Sequence, residues 1–345
     1  MIRYRLFGRR ARRAFIVALS GFVLLVLGSA ALVSDALRDA RRDVSGPVLP
    51  GWSDMAGRAA GIEIITSDTL FRMERTENGW TMPSRGNYPV RAEHLAELDA
   101  GLSSLSYTAA LTQDPARFDR LGLDDPALGG SGTSLVITDA DGNRLASLIV
   151  GDTRGDDRLY IRTGRQERAF AVEGSLPDIA DPGRWLGLDF FNLEPSRIAR
   201  AYIVPESGPA YILERESPAT RNFDLASPRT WQLITAGAAN GVANAGARVR
   251  FRDVGEADDD AGAPIALHRA STFDGLVYEY RFFRDEGAIR AQISVEASNH
   301  DVMDEASTLR RHVEGFWFVV SGDAYERMTR TLEQTATRSV TPVTE

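Results

Sequence analysis

Four histidines, several short acidic runs and one pair of serines are the residues of this chain whose types could do chemistry. A zinc site needs three or four ligands at short, matched spacings, and a catalytic histidine needs a nucleophile or an acid to work with. His94 falls on the polar face of an expected helix. His268 lies in an expected strand among charged neighbours, and His300 and His312 flank another expected helix. None has a partner run at ligand spacing, so all four read as solvated surface. Asp139-Ala140-Asp141-Gly142-Asn143 opens like a calcium loop. Such a loop requires glycine at its sixth place and an acid at its twelfth; here these are Arg144 and Val150, so the run reads as a hairpin turn. Asp258, Asp259 and Asp260, with Glu256, sit in a Gly/Ala-rich stretch; three successive carboxylates cannot all face one ion, and the stretch reads as a solvated loop. Asp152, Asp156 and Asp157 with Arg154 and Arg158 read as a strand connection. Gly101-Leu102-Ser103-Ser104-Leu105 lacks the second glycine of a nucleophile elbow and ends a helix instead of opening one. There is no glycine-rich phosphate loop, and zero cysteines remove disulfides, thiol nucleophiles and thiolate metal sites. No residue is therefore assigned as catalytic, cofactor-binding or metal-ligating, no cofactor is expected, and the chain reads as a protein that is not an enzyme.

The elements that would position these residues are mostly strands. Asn78-Gly79, Asp141-Gly142 and Asp274-Gly275 each separate two apolar runs, the strongest short-range hairpin signal, and the first predicts a type I′ turn. Ala92, Leu95, Leu98, Leu102 and Leu105 recur at spacings of a helix face. Pro115–Leu121 predicts a short helical turn. Pro177–Leu186 predicts a helical connector with Trp185 inside. A small-residue helix is expected from Ala238 to Ala247, and a last helix over Tyr325–Leu332. Trp80, Tyr88, Tyr107, Trp185, Phe190, Phe191, Trp231, Phe316 and Trp317 punctuate these elements and are expected in the core. The order partly repeats: Leu102 to Tyr107 parallels Gly246 to Phe251, each a helix end running into a strand. The expected fold class is α+β, with antiparallel sheets, packed helices and two related, duplicated halves at 61–195 and 196–335, a linker at 34–60 and a polar tail at 336–345.

Ahead of these lies the most distinctive segment. Residues 14–33 are twenty in number and carry no charge. As a helix they would span about 30 Å, the hydrocarbon thickness of a bilayer. Arg3, Arg5, Arg9, Arg10, Arg12 and Arg13 precede them, whereas Arg38, Arg41 and Arg42 follow interleaved with Asp35, Asp39 and Asp43. The excess of basic residues before the span places residues 1–13 in the cytoplasm and the rest across the membrane. A cleaved signal peptide, cut near Gly28-Ser29-Ala30-Ala31, is the rival, but its apolar region would usually be shorter. The chain carries a net charge of -8. Its six leading arginines leave the remainder at -14, a charge that repels nucleic acid and anionic headgroups. All 40 basic residues are arginine.

Five short motifs occur in order: Gly79-Trp80-Thr81-Met82, Tyr88-Pro89-Val90-Arg91-Ala92, Leu121-Gly122-Leu123-Asp124-Asp125-Pro126, Leu148-Ile149-Val150-Gly151 and Tyr160-Ile161-Arg162. Together they resemble the bacterial domain of unknown function numbered 4340, closely over 60–200 and loosely over 200–335. Arg91 stands where that family commonly carries an acid. The resemblance implies a single-pass envelope protein, of the bacterial inner membrane with its soluble domain in the periplasm, encoded beside ABC transporters of the gliding-motility type. The expectation is thus a membrane-anchored accessory whose partners are the bilayer, through residues 14–33, and a transporter permease or envelope proteins, with no nucleic acid. A structural scaffold of the envelope is the alternative, and an envelope hydrolase a lesser one.

Overall fold

A computed structural model describes residues 44–155, 157–164, 168–257, 262–285 and 287–339. The expected cytoplasmic tail, the apolar span 14–33 and residues 340–345 lie outside these. Among the described residues, no helix is long and apolar enough to cross a membrane.

The strands are β1 (Gly46–Pro47), β2 (Ala59–Ile65), β3 (Leu70–Thr76), β4 (Gly79–Met82), β5 (Tyr88–Pro89), β6 (Ser106–Ala110), β7 (Thr133–Asp139), β8 (Arg144–Thr153), β9 (Arg158–Thr163) and β10 (Ala169–Glu173). They form one antiparallel sheet in the order β5-β4-β3-β2-β7-β8-β9-β10-β6-β1. β11 (Phe191–Asn192) and β16 (Arg248–Val249) make a small ribbon, as do β15 (Trp231–Leu233) and β22 (Ala336–Arg338). The remaining strands are β12 (Ile198–Val204), β13 (Tyr211–Glu214), β14 (Asp224–Ser227), β17 (Asp253–Glu256), β18 (Ala266–Thr272), β19 (Leu276–Asp285), β20 (Ala288–Ala297) and β21 (Phe316–Val320). These give a second antiparallel sheet, β14-β13-β12-β18-β19-β20-β21-β17. One pattern runs through both sheets. Three strands fold back in reverse order, four later strands follow, and the strand preceding those four comes next: β4-β3-β2-β7-β8-β9-β10-β6 in the first, which adds the short β5 and β1 at its edges, and β14-β13-β12-β18-β19-β20-β21-β17 in the second.

All three expected hairpins form, with a different turn. Gly79, Gly142 and Gly275 have φ of 115, 81 and 98, whereas among the described residues Asn87 alone of the non-glycines is positive. Asn78, Asp141 and Asp274 therefore keep negative φ. In two of the turns the glycine N–H donates back: Gly142 to Asp139 O at 3.1 Å and Gly275 to Thr272 O at 3.2 Å. This is a type I turn closed by a positive-φ glycine, which spares the preceding side chain the left-handed cost a type I′ turn would impose.

The helices are α1 (Trp52–Met55), α2 (Ala92–Ser104), α3 (Pro182–Leu186), α4 (Asn240–Ala243), α5 (Met303–Val313) and α6 (Gly322–Met328). α2 matches expectation in extent, and Leu98, Leu102 and Leu105 of its expected face are buried with Leu95 packed beside them, whereas Ala92 is exposed and His94 and Gly101 are buried. α4 is shorter than expected. α6 begins earlier than expected, because Ser321 Oγ caps it by accepting from Ala324 N at 3.2 Å. The described part of the expected linker is packed: β1 pairs with β6, Trp52 is buried, and its Nε1 donates to Asp99 Oδ1 at 2.8 Å. Gly and Pro there shape an edge strand and a turn. The start of the expected polar tail likewise pairs as β22, with Ala336 buried.

One apolar core runs from Val48 to Ala336 and joins both sheets. The join is narrow and specific. Tyr88 of the first sheet packs edge-on against Phe316 and Phe318 of the second, with centroids 4.9 and 5.9 Å apart. Beside it, Arg85 Nε donates to Asp253 Oδ1 at 2.6 Å. Between these two contacts Gly86, at φ 67, lies so close to β17 that a Cβ on it would stand 2.7 Å from the Glu256 nitrogen and 2.9 Å from its Cα. Gly86→Ala is expected to lower unfolding free energy by about 1–3 kcal/mol. Urea denaturation of the full chain checks this; an unchanged midpoint would contradict the close approach.

Candidate functional site

The residues singled out for chemistry land apart, and most have local structural work. His94 is buried, not solvated: Nε2 is 3.0 Å from Asp178 O and its ring meets Trp185 edge-on at 4.5 Å. His268 is the larger correction. Period-two alternation along β18 puts it inward with Ala266 and Ala270, while its charged neighbour Arg269 points out. Its Nδ1 is 3.0 Å from Met328 O, so that nitrogen carries the hydrogen, and the buried Nε2 has no partner. Burial pushes its pKa down to about 4. His312 lies within the last turn of α5 against Phe190, and burial, then Arg311, lowers its pKa as well. His300 is exposed beside Met303.

Asp139 organises its hairpin: Oδ1 accepts from Asp141 N and Asn143 N at 3.0 and 2.8 Å, and Oδ2 from Asn143 Nδ2 at 3.1 Å. The hydrogen bonds from Asn143 hold its carboxyl below the usual range. Ser103 and Ser104 donate to the carbonyls of Asp99 and Gly101, closing the helix end. Asp152, Arg154 and Arg158 sit at the β8–β9 connection; Asp156 and Asp258–Asp260 lie outside the described residues. Among the described residues, no group of three His, Asp or Glu is placed to hold a metal ion.

Three of the five motifs noted in the sequence meet at one place. Gly151 ends β8's apolar run, and a Cβ there would stand 2.2 Å from Leu121 O. Leu123 is buried with Phe118 and Ala169, with Tyr160 packed beside them. Arg162 Nη2 donates to Leu123 O at 3.3 Å, and its guanidinium lies over the Phe118 ring at 4.9 Å. The glycine, the Leu-Gly-Leu turn and the Tyr-Ile-Arg strand thus form one clip holding the 111–132 segment to the first sheet.

The Tyr88–Ala92 motif leads elsewhere. Arg91 donates its backbone N–H to Trp185 O at 2.7 Å, and its side chain crosses Gly187, whose missing Cβ would lie 2.9 Å from Arg91 Nε. The guanidinium then pairs with Asp189. This pair forms one wall of a cleft of about 540 Å³ between the two sheets. Arg184 of α3 and the strand-like segment Arg250–Arg252 form the others. Sequence reasoning missed Arg250 and Arg252. The signal was present: Arg248-Val249-Arg250-Phe251-Arg252 alternates, and Val249 and Phe251 are buried while the arginines are exposed. A second cleft, about 590 Å³, borders α6, but its charges are mixed. There Glu206 already accepts from Tyr325 and Arg284.

Residues 80–268, more than half of the chain, match the family model described as Domain of unknown function (DUF4340), and the chain belongs to that family. No curated protein and no solved structure matches.

Buried His268 has a measurable consequence. An unfolded histidine takes up its proton near pH 6.5; the folded one holds it off until about pH 4. Between these values the unfolded chain binds more protons, so this contribution is complete above about pH 6.5 and is lost as pH falls towards 4. The loss is on the order of a few kcal/mol. His268→Gln is expected to flatten this slope in urea midpoints measured from neutral to mildly acidic pH, leaving a residue from His312. An unaltered slope would place the titration elsewhere.

Proposed function

We propose that this member of the DUF4340 family is a non-enzymatic accessory of an ABC transporter, anchored in the cytoplasmic membrane by residues 14–33 with its sheets on the periplasmic side. The observation that carries this reading is the uncharged twenty-residue run preceded by six arginines. Such a run enters a bilayer as a helix because every backbone group is then satisfied internally, and the arginines stay on the cytoplasmic side. Membrane placement makes a job beside another membrane protein the economical reading. The histidines held in helix and sheet packing support a role in binding over one in catalysis. The common strand order of the two sheets supports an origin as two copies of one α+β unit, 61–195 and 196–335. A tandem pair of sheets offers a partner a broad, stiff surface at a set height above the membrane.

A periplasm-dependent reporter fused at the carboxyl terminus is expected to be active, and the same reporter at the amino terminus silent; the reverse pattern would invert the placement. Extraction in mild detergent is expected to recover the protein with a permease and an ATPase subunit. Recovery alone, with deletion altering cell shape but not transport, would point to an envelope scaffold instead.

A further inference from the structure

The cleft beside α3 gathers four arginines into one lining. Nearby arginines are matched: Arg85 to Asp253, Arg91 to Asp189, Arg248 to Glu194. Arg250 and Arg252 follow directly on Arg248, and among the described residues neither guanidinium is hydrogen-bonded or ion-paired. Their backbone is fixed, since Phe251 N donates to Leu188 O at 2.9 Å and Arg252 N to Val319 O at 2.9 Å. Both side chains are therefore held on one side of an extended segment whose other side is core. Across the cleft Arg184 reaches only a distant, exposed Asp178 at 3.9 Å, a contact of little strength. Four arginines against Asp181 and Asp189 leave the lining with two positive charges in excess. This happens in a chain where 48 acidic residues outnumber 40 basic ones, so partners for these arginines were plentiful.

We propose that this cleft binds a phosphate-bearing ligand, held by Arg184, Arg250 and Arg252 while Arg91 remains on Asp189. A phosphate monoester carries about two negative charges and three peripheral oxygens, which match the charge excess. Guanidinium forks give paired, parallel N–H···O bonds to such oxygens, and arginine suits this geometry better than a point charge would. A single carboxylate offers two oxygens and one charge, and would leave forks unused. The cleft volume lies in the range of small-ligand sites, about 300–1,000 Å³, so the phosphate would be one end of a larger molecule. Its source is a soluble phosphate ester or a lipid headgroup; both present the same group. This inference is independent of the transporter reading, which co-purification tests separately.

The test uses the full chain in nanodiscs of zwitterionic lipid, titrated calorimetrically with inorganic pyrophosphate at low ionic strength. Saturable binding is expected, weakened at least tenfold in the double variant Arg250→Gln/Arg252→Gln. It should be partly kept in the double lysine variant, which retains charge without the fork. Arg338→Gln, outside the cleft lining and stacked over Trp231, should bind as the parent does. Nanodiscs containing phosphatidic acid separate the sources: competition with pyrophosphate indicates a headgroup, and its absence a soluble ester. Equal affinity in parent and double glutamine variant would overturn the proposal. So would the absence of saturable binding to both pyrophosphate and phosphatidic acid.

Discussion

The close approach of Gly86 to the backbone of β17 is the constraint on which the rest of the molecule depends. Two sheets of this size could each keep an apolar face to themselves. Here one core runs through both, and Tyr88, which reaches Phe316 and Phe318 across the join, is one of the contacts that link them. Edge-on ring pairs of this kind contribute about 0.5–1.5 kcal/mol each beyond the area they bury. They form only if the backbones come together first, and a residue with a Cβ at position 86 would hold them apart. The cleft's walls come from α3, the connector at 187–189 and the 250–252 segment.

Arginine is the only strong base in the chain, and its placement follows two regimes. Several of the described guanidiniums tie elements together. Arg197 is the fullest case: it grips Glu305 of α5 through two bonds at 2.8 and 2.7 Å and Asp274 of the β18–β19 turn at 3.0 Å. Burial alone would raise the Asp274 pKa; the Thr272 hydroxyl and Arg197 outweigh it and hold the carboxyl low. The second is the cleft, where four arginines meet only two acids, Asp181 and Asp189. Arg91 stands between the two, paired with Asp189 and placing a positive charge on the cleft's edge.

Much of the architecture was legible in the sequence. Apolar runs at period two, broken by Asn-Gly or Asp-Gly, located the hairpins. The leucine spacing located α2, and the positions of the motifs located the family. What escaped has physical causes. Turn type depends on which residue bears the positive φ, and glycine took it in each hairpin. On α2 the leucine face is buried as expected, but His94 joins it because it packs on Trp185, a contact 91 residues along the chain. His268 was misread because its neighbours are charged; in a strand, neighbours point the other way. The linker was misread because Gly46, Pro47 and Gly51 signal irregular backbone equally well in a loop and in an edge strand.

By itself the sequence determined the uncharged run with its arginine flank, the acidic balance of the remainder, the antiparallel α+β class and the family. These are properties of composition and local periodicity, which need no partner in space. Tertiary structure alone decided that the two sheets share one core, that three scattered motifs are a single clip, and that Arg184, Arg250 and Arg252 face one cleft. Each depends on contacts between residues tens of positions apart, and distance along a chain carries no information about distance in space until the sheets have paired.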